Sequence, residues 1–282
     1  MLLSLLLPLT AASRCPILGA LGWPANAWLL HELTCRQPEL AQSLHDDEGV
    51  KPYTVSTLLD GRGRPLAKGM WLQPGQACWL RVTTFEERLS EVLLEIVKDL
   101  PPRMTLYKMD FRLDGWTLDP AQHPWAGHSS FAALAQAEGV NGRTRQVRLE
   151  FASPTAFRSE GADTPLPIPA LIQRSLWQRW NTAAPEPMQI HAAWPEFAAA
   201  CVKVSELTAI NTDRWVFAEG TRGAATGFTG TVGLTLLPER QCRDWAACWE
   251  SADRVLQSLA QFAFYCGTGH HTTIGIGQTR MI

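Results

Sequence analysis

The stretch Gly267-Thr-Gly-His-His-Thr-Thr-Ile-Gly-Ile-Gly-Gln-Thr-Arg-Met-Ile282 follows directly on a helical pattern at Val255, Leu256, Leu259 and Phe262. It places Gly267 and Gly269, then Gly275 and Gly277, as two G-x-G pairs with five residues between them. Glycine has no Cβ and reaches positive φ freely, so this spacing suits a backbone that a phosphate approaches closely. It also suits a tight turn between a closing helix and an edge strand, with Gly267 capping the helix. No lysine follows as in a mononucleotide P-loop, and no strand precedes it as in a dinucleotide fingerprint, which argues against both nucleotide readings. The end of the chain therefore reads as helix, glycine loop and edge strand.

Upstream, the whole chain sets bounds on that reading. At 282 residues it has the length of one large or two medium domains, and 46% hydrophobic with 18% charged residues marks it as globular. A net charge of −2 excludes a uniformly basic nucleic-acid binder, so any such role needs a local basic face. Two stretches supply one. Residues 141–181 hold Arg143, Arg145, Arg148, Arg158, Arg174 and Arg179 against only Glu150, Glu160 and Asp163. Residues 262–282 contain no acid and carry His270, His271, Thr272 and Arg280. Arg174 and Arg179 equally fit solvated helix positions.

The opening run Met1-Leu-Leu-Ser-Leu-Leu-Leu-Pro-Leu-Thr-Ala-Ala-Ser13 lacks the positive flank of a secretory signal and is far shorter than the roughly twenty residues of a membrane span. A buried first strand is the expectation. The seven cysteines are odd in number and contain no C-x-x-C pair. That argues against a disulfide framework and a structural zinc, and for reduced thiols in a cytoplasm with no metal or other cofactor.

Along the chain, a short helix is expected over 27–33, entered from Pro24, and a second from Pro38 through Leu40 and Leu44 to His45. Residues 46–49 form a polar turn and 51–56 an extended segment. Strands over 79–85 and 105–113 enclose a helix over 88–97, giving β-α-β-β-α-β-like content. Residues 120–130 read as irregular and 131–137 as a short helix. The order restarts near Arg145: Val147, Leu149 and Phe151 alternate with polar residues, and Ile168, Ile172, Leu176 and Trp180 recur at helical spacing. A glycine-rich turn over 220–230, a strand over 231–237 and a helix over 252–265 complete it. The expected fold is α+β, with two domains at 1–140 and 145–282. Trp177 and Trp180 read as core, and no aromatic RNP signature is present.

Several segments together resemble one family. Leu21-Gly-Trp23 through Leu30-His31, Pro38-Glu-Leu to Ser43-Leu-His-Asp46, and Lys51-Pro-Tyr-Thr-Val-Ser56 are similar to the first half of the CRISPR-associated Cas6 endoribonucleases. Phe151-Ala-Ser-Pro-Thr-Ala-Phe-Arg158, Leu166-Pro-Ile-Pro169, Leu176-Trp-Gln-Arg-Trp-Asn181, Gly227-Phe-Thr-Gly230 and the terminal glycine loop resemble the second half. The resemblance implies two tandem ferredoxin-like domains that cut CRISPR repeat RNA without metal, leaving a 2′,3′-cyclic phosphate or 3′-phosphate and a 5′-hydroxyl. DNA, which lacks the attacking 2′-hydroxyl, is then excluded as a substrate. No membrane partner is implied.

Metal-free cleavage needs a base near the 2′-hydroxyl, an acid near the departing 5′-oxygen, and positive charge on the phosphate. His45 is the first candidate: it follows an apolar helix face and matches the family's catalytic histidine in its leucine-histidine-aspartate context. A helix-capping histidine is the competing reading. Lys51 corresponds to the family's charge-stabilising lysine, and His31 lies where some members place the other proton-transfer group. Candidate RNA contacts are Arg143, Arg145, Arg148, Arg158, Gly267, Gly269, His270, His271, Thr272, Gly275, Gly277 and Arg280, with His271 also a secondary catalytic candidate. The alternative function is a non-catalytic RNA-binding subunit among other CRISPR effector proteins. A third reading, an exported protein, rests on the apolar start alone.

Overall fold

The opening apolar run is strand β1 (Leu2–Ala11), whose leucines are buried on both faces. A strand without a polar face belongs inside a sheet covered on each side. On one side lie helices; on the other, the Ser4 hydroxyl donates to the Trp125 carbonyl, while in the plane of the sheet the Leu6 amide donates to the Thr117 carbonyl at 3.0 Å. The computed structural model describes residues 1–46, 49–66, 68–136, 145–159, 161–217 and 223–282, with backbone alone at 246 and 247.

After β1 come β2 (Cys15–Pro16), α1 (Gly22–Arg36), α2 (Pro38–Asp46), β3 (Tyr53–Val55), β4 (Trp71–Leu72), β5 (Ala77–Thr84), α3 (Glu87–Lys98), β6 (Arg103–Leu106), β7 (Met109–Leu113) and β8 (Gly127–Ser129). The sheet runs β3-β5-β1-β7-β6, with β8 beside β1, while β2 and β4 pair as a separate ribbon. Counting β1, β3, β5 and β7 as first to fourth, the order is second, third, first, fourth, with β1 antiparallel to both neighbours. That is the ferredoxin-like order of two interlocked β-α-β units. Helix α3 shows how the sequence builds it: the Glu86 carboxylate accepts from the amides of Arg88 and Leu89, satisfying donors that a first turn leaves open, and Leu89, Leu93 and Ile96 face the core.

The chain continues through α4 (Phe131–Gln136), β9 (Gln146–Thr155), β10 (Phe157–Ser159), β11 (Ala162–Thr164), α5 (Pro169–Ala183), α6 (Trp194–Cys201), β12 (Val202–Val216), β13 (Ala224–Leu236), α7 (Ala246–Trp249), α8 (Ala252–Cys266) and β14 (Thr279–Met281). Its main sheet runs β12-β13-β9-β14. Taking β9, β12, β13 and β14 as first to fourth gives the same second, third, first, fourth order. The fold is α+β, two ferredoxin-like units in tandem, as the content of the two halves implies. Phe131, Trp180 and Phe262 meet edge to face between α4, α5 and α8, with ring centroids 4.9 to 5.5 Å apart.

The units are not simple halves. The first comprises Met1–His128, Arg214–Ala225 and His271–Ile276; the second comprises Ser129–Asp213, Thr226–His270 and Gly277–Ile282. The division thus falls at 128/129 instead of near Gly139–Arg145, and two later segments return to the first unit. Within that unit, the Ala20 amide donates to the Val216 carbonyl at 2.9 Å, and Ala20, Phe217, Ala225, Ile274 and Ile276 form a small apolar cluster.

Three local expectations differ from the structure. Residues 105–113 are not one strand, because Tyr107, at φ 58°, turns the chain between β6 and β7. Strand β12 has no counterpart in the sequence reading, since its 15 residues are largely exposed and offer little inward-outward alternation. The glycine-rich span 220–230 is, from Ala224 onward, the start of β13. Among the described residues no helix is long and apolar enough to cross a membrane.

Candidate active site

Helix α1 ends because Pro38 cannot donate an amide; the preceding Gln37 amide closes on the Leu33 carbonyl at 2.7 Å. Pro38 then opens α2, which buries Ala41 and Leu44 and leaves its last turn exposed. His45 stands there with 75% of its side chain exposed. Its Nδ1 lies 3.1 Å from Asp46 Oδ1. A hydrogen bond from Gln42 Nε2, at 2.7 Å, and then the one from His45 hold the Asp46 carboxyl below its ordinary range. An ionised carboxylate only accepts, so Nδ1 is the donor of that pair and Nε2 of a neutral ring keeps its lone pair.

Lys51 binds the same turn. Its ammonium donates to the Leu44 carbonyl and, at 3.3 Å, to the His45 carbonyl, capping acceptors that the end of α2 leaves open. The expected charge-bearing lysine is therefore also the tether of the His45 turn. His31, exposed on α1, has Nε2 3.7 Å from Cys35 Sγ one turn along. His31, His45 and Lys51 all belong to the first unit, and so do residues 271–276 of the glycine loop. That part of the loop packs on α1 and β3: Gly22 leaves room for the Ile274 carbonyl, and a Cβ on Gly275 would meet the Thr57 amide at 2.8 Å.

The glycine loop departs from the expected open cradle. Gly267, Gly269, Thr272, Gly275 and Gly277 are all buried. Its amides are engaged internally: Gly267 on the Ala263 carbonyl, Thr268 on that of Gly277, His270 on that of Ala156 and Gly277 on that of Pro154, each at 2.9 to 3.0 Å. The Gly269 amide donates to Ser175 Oγ at 2.9 Å. Glycine is required here for close approach to protein backbone, since a Cβ on Gly269, at φ 81°, would strike the Ala156 carbonyl. Gly267, at φ 65°, caps α8, and β14 is an edge strand, as the helix-turn-strand reading has it. These five positions therefore have a packing role, and the loop's exposed side chain is His271, held at φ 60°.

The arginine candidates are exposed or half-buried, and acids partner several of them. Arg148 pairs with Glu206 at 3.1 Å, Arg158 with Asp163 at 3.0 Å, and Arg280 with Glu150 at 2.5 Å. Asp163 also lies 3.6 Å from His270 Nε2. Arg145 stacks over Trp249 at 5.0 Å from the ring centroid. Arg143 lies outside the described residues. The local basic face counted from sequence is thus partly compensated by Glu206 and Asp163.

One arginine of the 141–181 stretch is not solvated as its helix position suggested. Arg179 is buried on α5, its Nη1 donating to Ser175 Oγ at 2.8 Å and its Nη2 to the Gly269 carbonyl at 2.6 Å. Ser175 and Arg179 thus grip both the amide and the carbonyl of Gly269. Their four-residue spacing fits one helix face, but only the fold reveals the loop as their target. Burial pushes the Arg179 guanidinium below its ordinary pKa. Among the described residues no three His, Cys, Asp or Glu side chains converge as metal ligands.

Residues 149–279 match the sequence profile of the CRISPR-associated endoribonuclease Cas6. Cas6 (TTHB231) of Thermus thermophilus, solved as a product complex, superposes with a TM-score of 0.80 at 26% identity over 100% of both chains. The chain is thus similar to Cas6 in the sequence of residues 149–279 and in fold over its whole length. A second Cas6 product complex (TTHA0078) aligns at TM-score 0.73 and 26% identity over 100% of this chain and 99% of that one. A Cas6-related protein from Pyrococcus furiosus, at 13% identity, 100% and 99% coverage and TM-score 0.61, shares the fold. No curated protein matches by sequence. The Cas6 profile runs from β9 through the glycine loop, whereas His31, His45 and Lys51 precede it.

Proposed function

We propose that this chain cuts CRISPR repeat RNA within precursor transcripts, using the 2′-hydroxyl beside the scissile phosphate as nucleophile and no metal ion. Similarity to Cas6 in sequence and fold supports RNA cleavage and CRISPR RNA processing, and the product complexes of the two Cas6 proteins support an RNA substrate. The observation that carries the chemistry is the His45–Asp46 pair on an exposed helix end tethered by Lys51.

In this reading His45 Nε2 takes the 2′-hydroxyl proton, the 2′-oxygen bonds to phosphorus, and the P–O5′ bond breaks. The 5′-oxygen leaves with a proton supplied by a second group, for which His31 is the candidate. The products carry a 2′,3′-cyclic phosphate and a 5′-hydroxyl. Asp46 fixes the ring tautomer, and Lys51 holds the turn and adds positive charge beside it. His270, His271 and the exposed arginines hold the RNA backbone.

The test uses labelled repeat RNA with the full chain. Cleavage should persist in EDTA and vanish when the nucleotide just upstream of the cut is 2′-deoxy. A cut deoxy substrate would exclude this chemistry. Tight binding of repeat RNA with no cleavage under any condition would instead favour an RNA-binding subunit of a CRISPR effector complex.

A further inference from the structure

The β2–β4 ribbon of the first unit is apolar on the wrong side. Cys15 pairs with Leu72 and Pro16 with Trp71, and the Ile17 amide donates to the Met70 carbonyl at 2.8 Å. Alternation sends Ile17 and Leu72 into the core, at 1% and 0% exposure. The opposite face then holds Pro16, Leu18 and Trp71, where a ribbon covered on one side ordinarily turns polar residues to water. Leu18 and Trp71 stay 43% and 51% exposed. Side chains of this size grouped on one small surface mark a contact site rather than scattered exposure.

The charge around the patch selects its occupant. Arg14 places its guanidinium carbon 4.8 Å from the Trp71 ring centroid, and Lys68 is exposed on the approach to β4. Residues 12–22 and 66–76, which build the ribbon and its flanks, contain no Asp or Glu. An exposed indole with a guanidinium against it and a lysine on the same approach is the chemistry of a stacking platform for a single-stranded nucleic acid: the ring takes a base, the cations take phosphates.

We infer that the β2–β4 ribbon is an RNA-binding subsite, in which Trp71 stacks on an unpaired base and Arg14 and Lys68 meet the adjoining phosphates. This rests on the reading of the chain as an RNA-cutting enzyme, and adds a contact outside the His45 turn and the glycine loop. Stacking is tolerant of base identity, so the subsite grips unpaired RNA without reading its sequence.

The experiment measures binding of full-length protein to a short oligoadenylate and to repeat RNA, with Trp71→Ala, Trp71→Phe and Arg14→Ala variants whose melting temperatures are checked first. Trp71→Ala should weaken oligoadenylate binding about tenfold, Trp71→Phe should retain most of it, and Arg14→Ala should weaken it while flattening its salt dependence. Oligoadenylate should quench tryptophan fluorescence in wild type more than in Trp71→Phe. Equal affinities for wild type and Trp71→Ala overturn the inference, as does a Trp71→Ala variant that binds RNA normally but loses self-association, which would make the patch a protein contact. Repeat-RNA cleavage by wild type separates the two failures: an active enzyme indifferent to Trp71 refutes only the subsite, and a chain that never cuts RNA refutes the function.

Discussion

The proposed mechanism gives His45 and Asp46 different parts, and substitutions should separate them. His45→Ala removes the proposed proton acceptor and should lower single-turnover cleavage by about 10²–10⁴-fold with repeat-RNA affinity kept. Undiminished cleavage would remove His45 from the mechanism. Asp46→Ala keeps the imidazole but frees its tautomer, so a smaller loss is expected, measured in the same assay. Elsewhere in this unit, burial pushes the Tyr53 phenol up to about 12, while its hydroxyl donates to Asn26 Oδ1 at 3.0 Å. Because the folded value is raised, the associated stability is present below the ordinary tyrosine value near ~10 and is lost as pH climbs toward that of the folded protein. Tyr53→Phe should therefore remove an absorbance change at high pH that wild type completes only on unfolding or near pH 12.

Among the elements, the α5–glycine loop contact offers the sharpest test. Arg179→Ala leaves the buried Gly269 carbonyl without its donor, a loss of about 1–3 kcal/mol, read as a lower melting temperature. Gly269→Ala should cost at least as much, because the site combines positive φ with contact to the Ala156 carbonyl. Periodicity exposed α2, α3, α5, α8 and β9 in the sequence because each buries one apolar face against a core. It missed β12, whose largely exposed residues offer little alternation and whose close approach to β13, with the Ala209 carbonyl against Gly230, is invisible in one strand alone. The site was legible to the same degree. The leucine-histidine-aspartate context singled out His45 as a candidate, but the acids that partner Arg148 and Arg280 and the burial of the glycines emerge only once distant segments meet.

For the molecule as a whole, a net charge of −2 together with paired arginines leaves a modest electrostatic drive toward RNA. Repeat-RNA affinity should fall as salt rises, as for any phosphate contact, and a filter-binding titration across salt concentration checks the slope. An affinity indifferent to salt would point to contacts dominated by bases. The return of Arg214–Ala225 and His271–Ile276 to the first unit has a further outcome. A fragment ending at His128 would lack the partners of Ala20 and Gly22 and should be poorly soluble alone, yet regain order when co-expressed with the remainder. A gene of this kind resists being cut into two exchangeable cassettes, because each would carry off strands of chain that the other needs to finish itself.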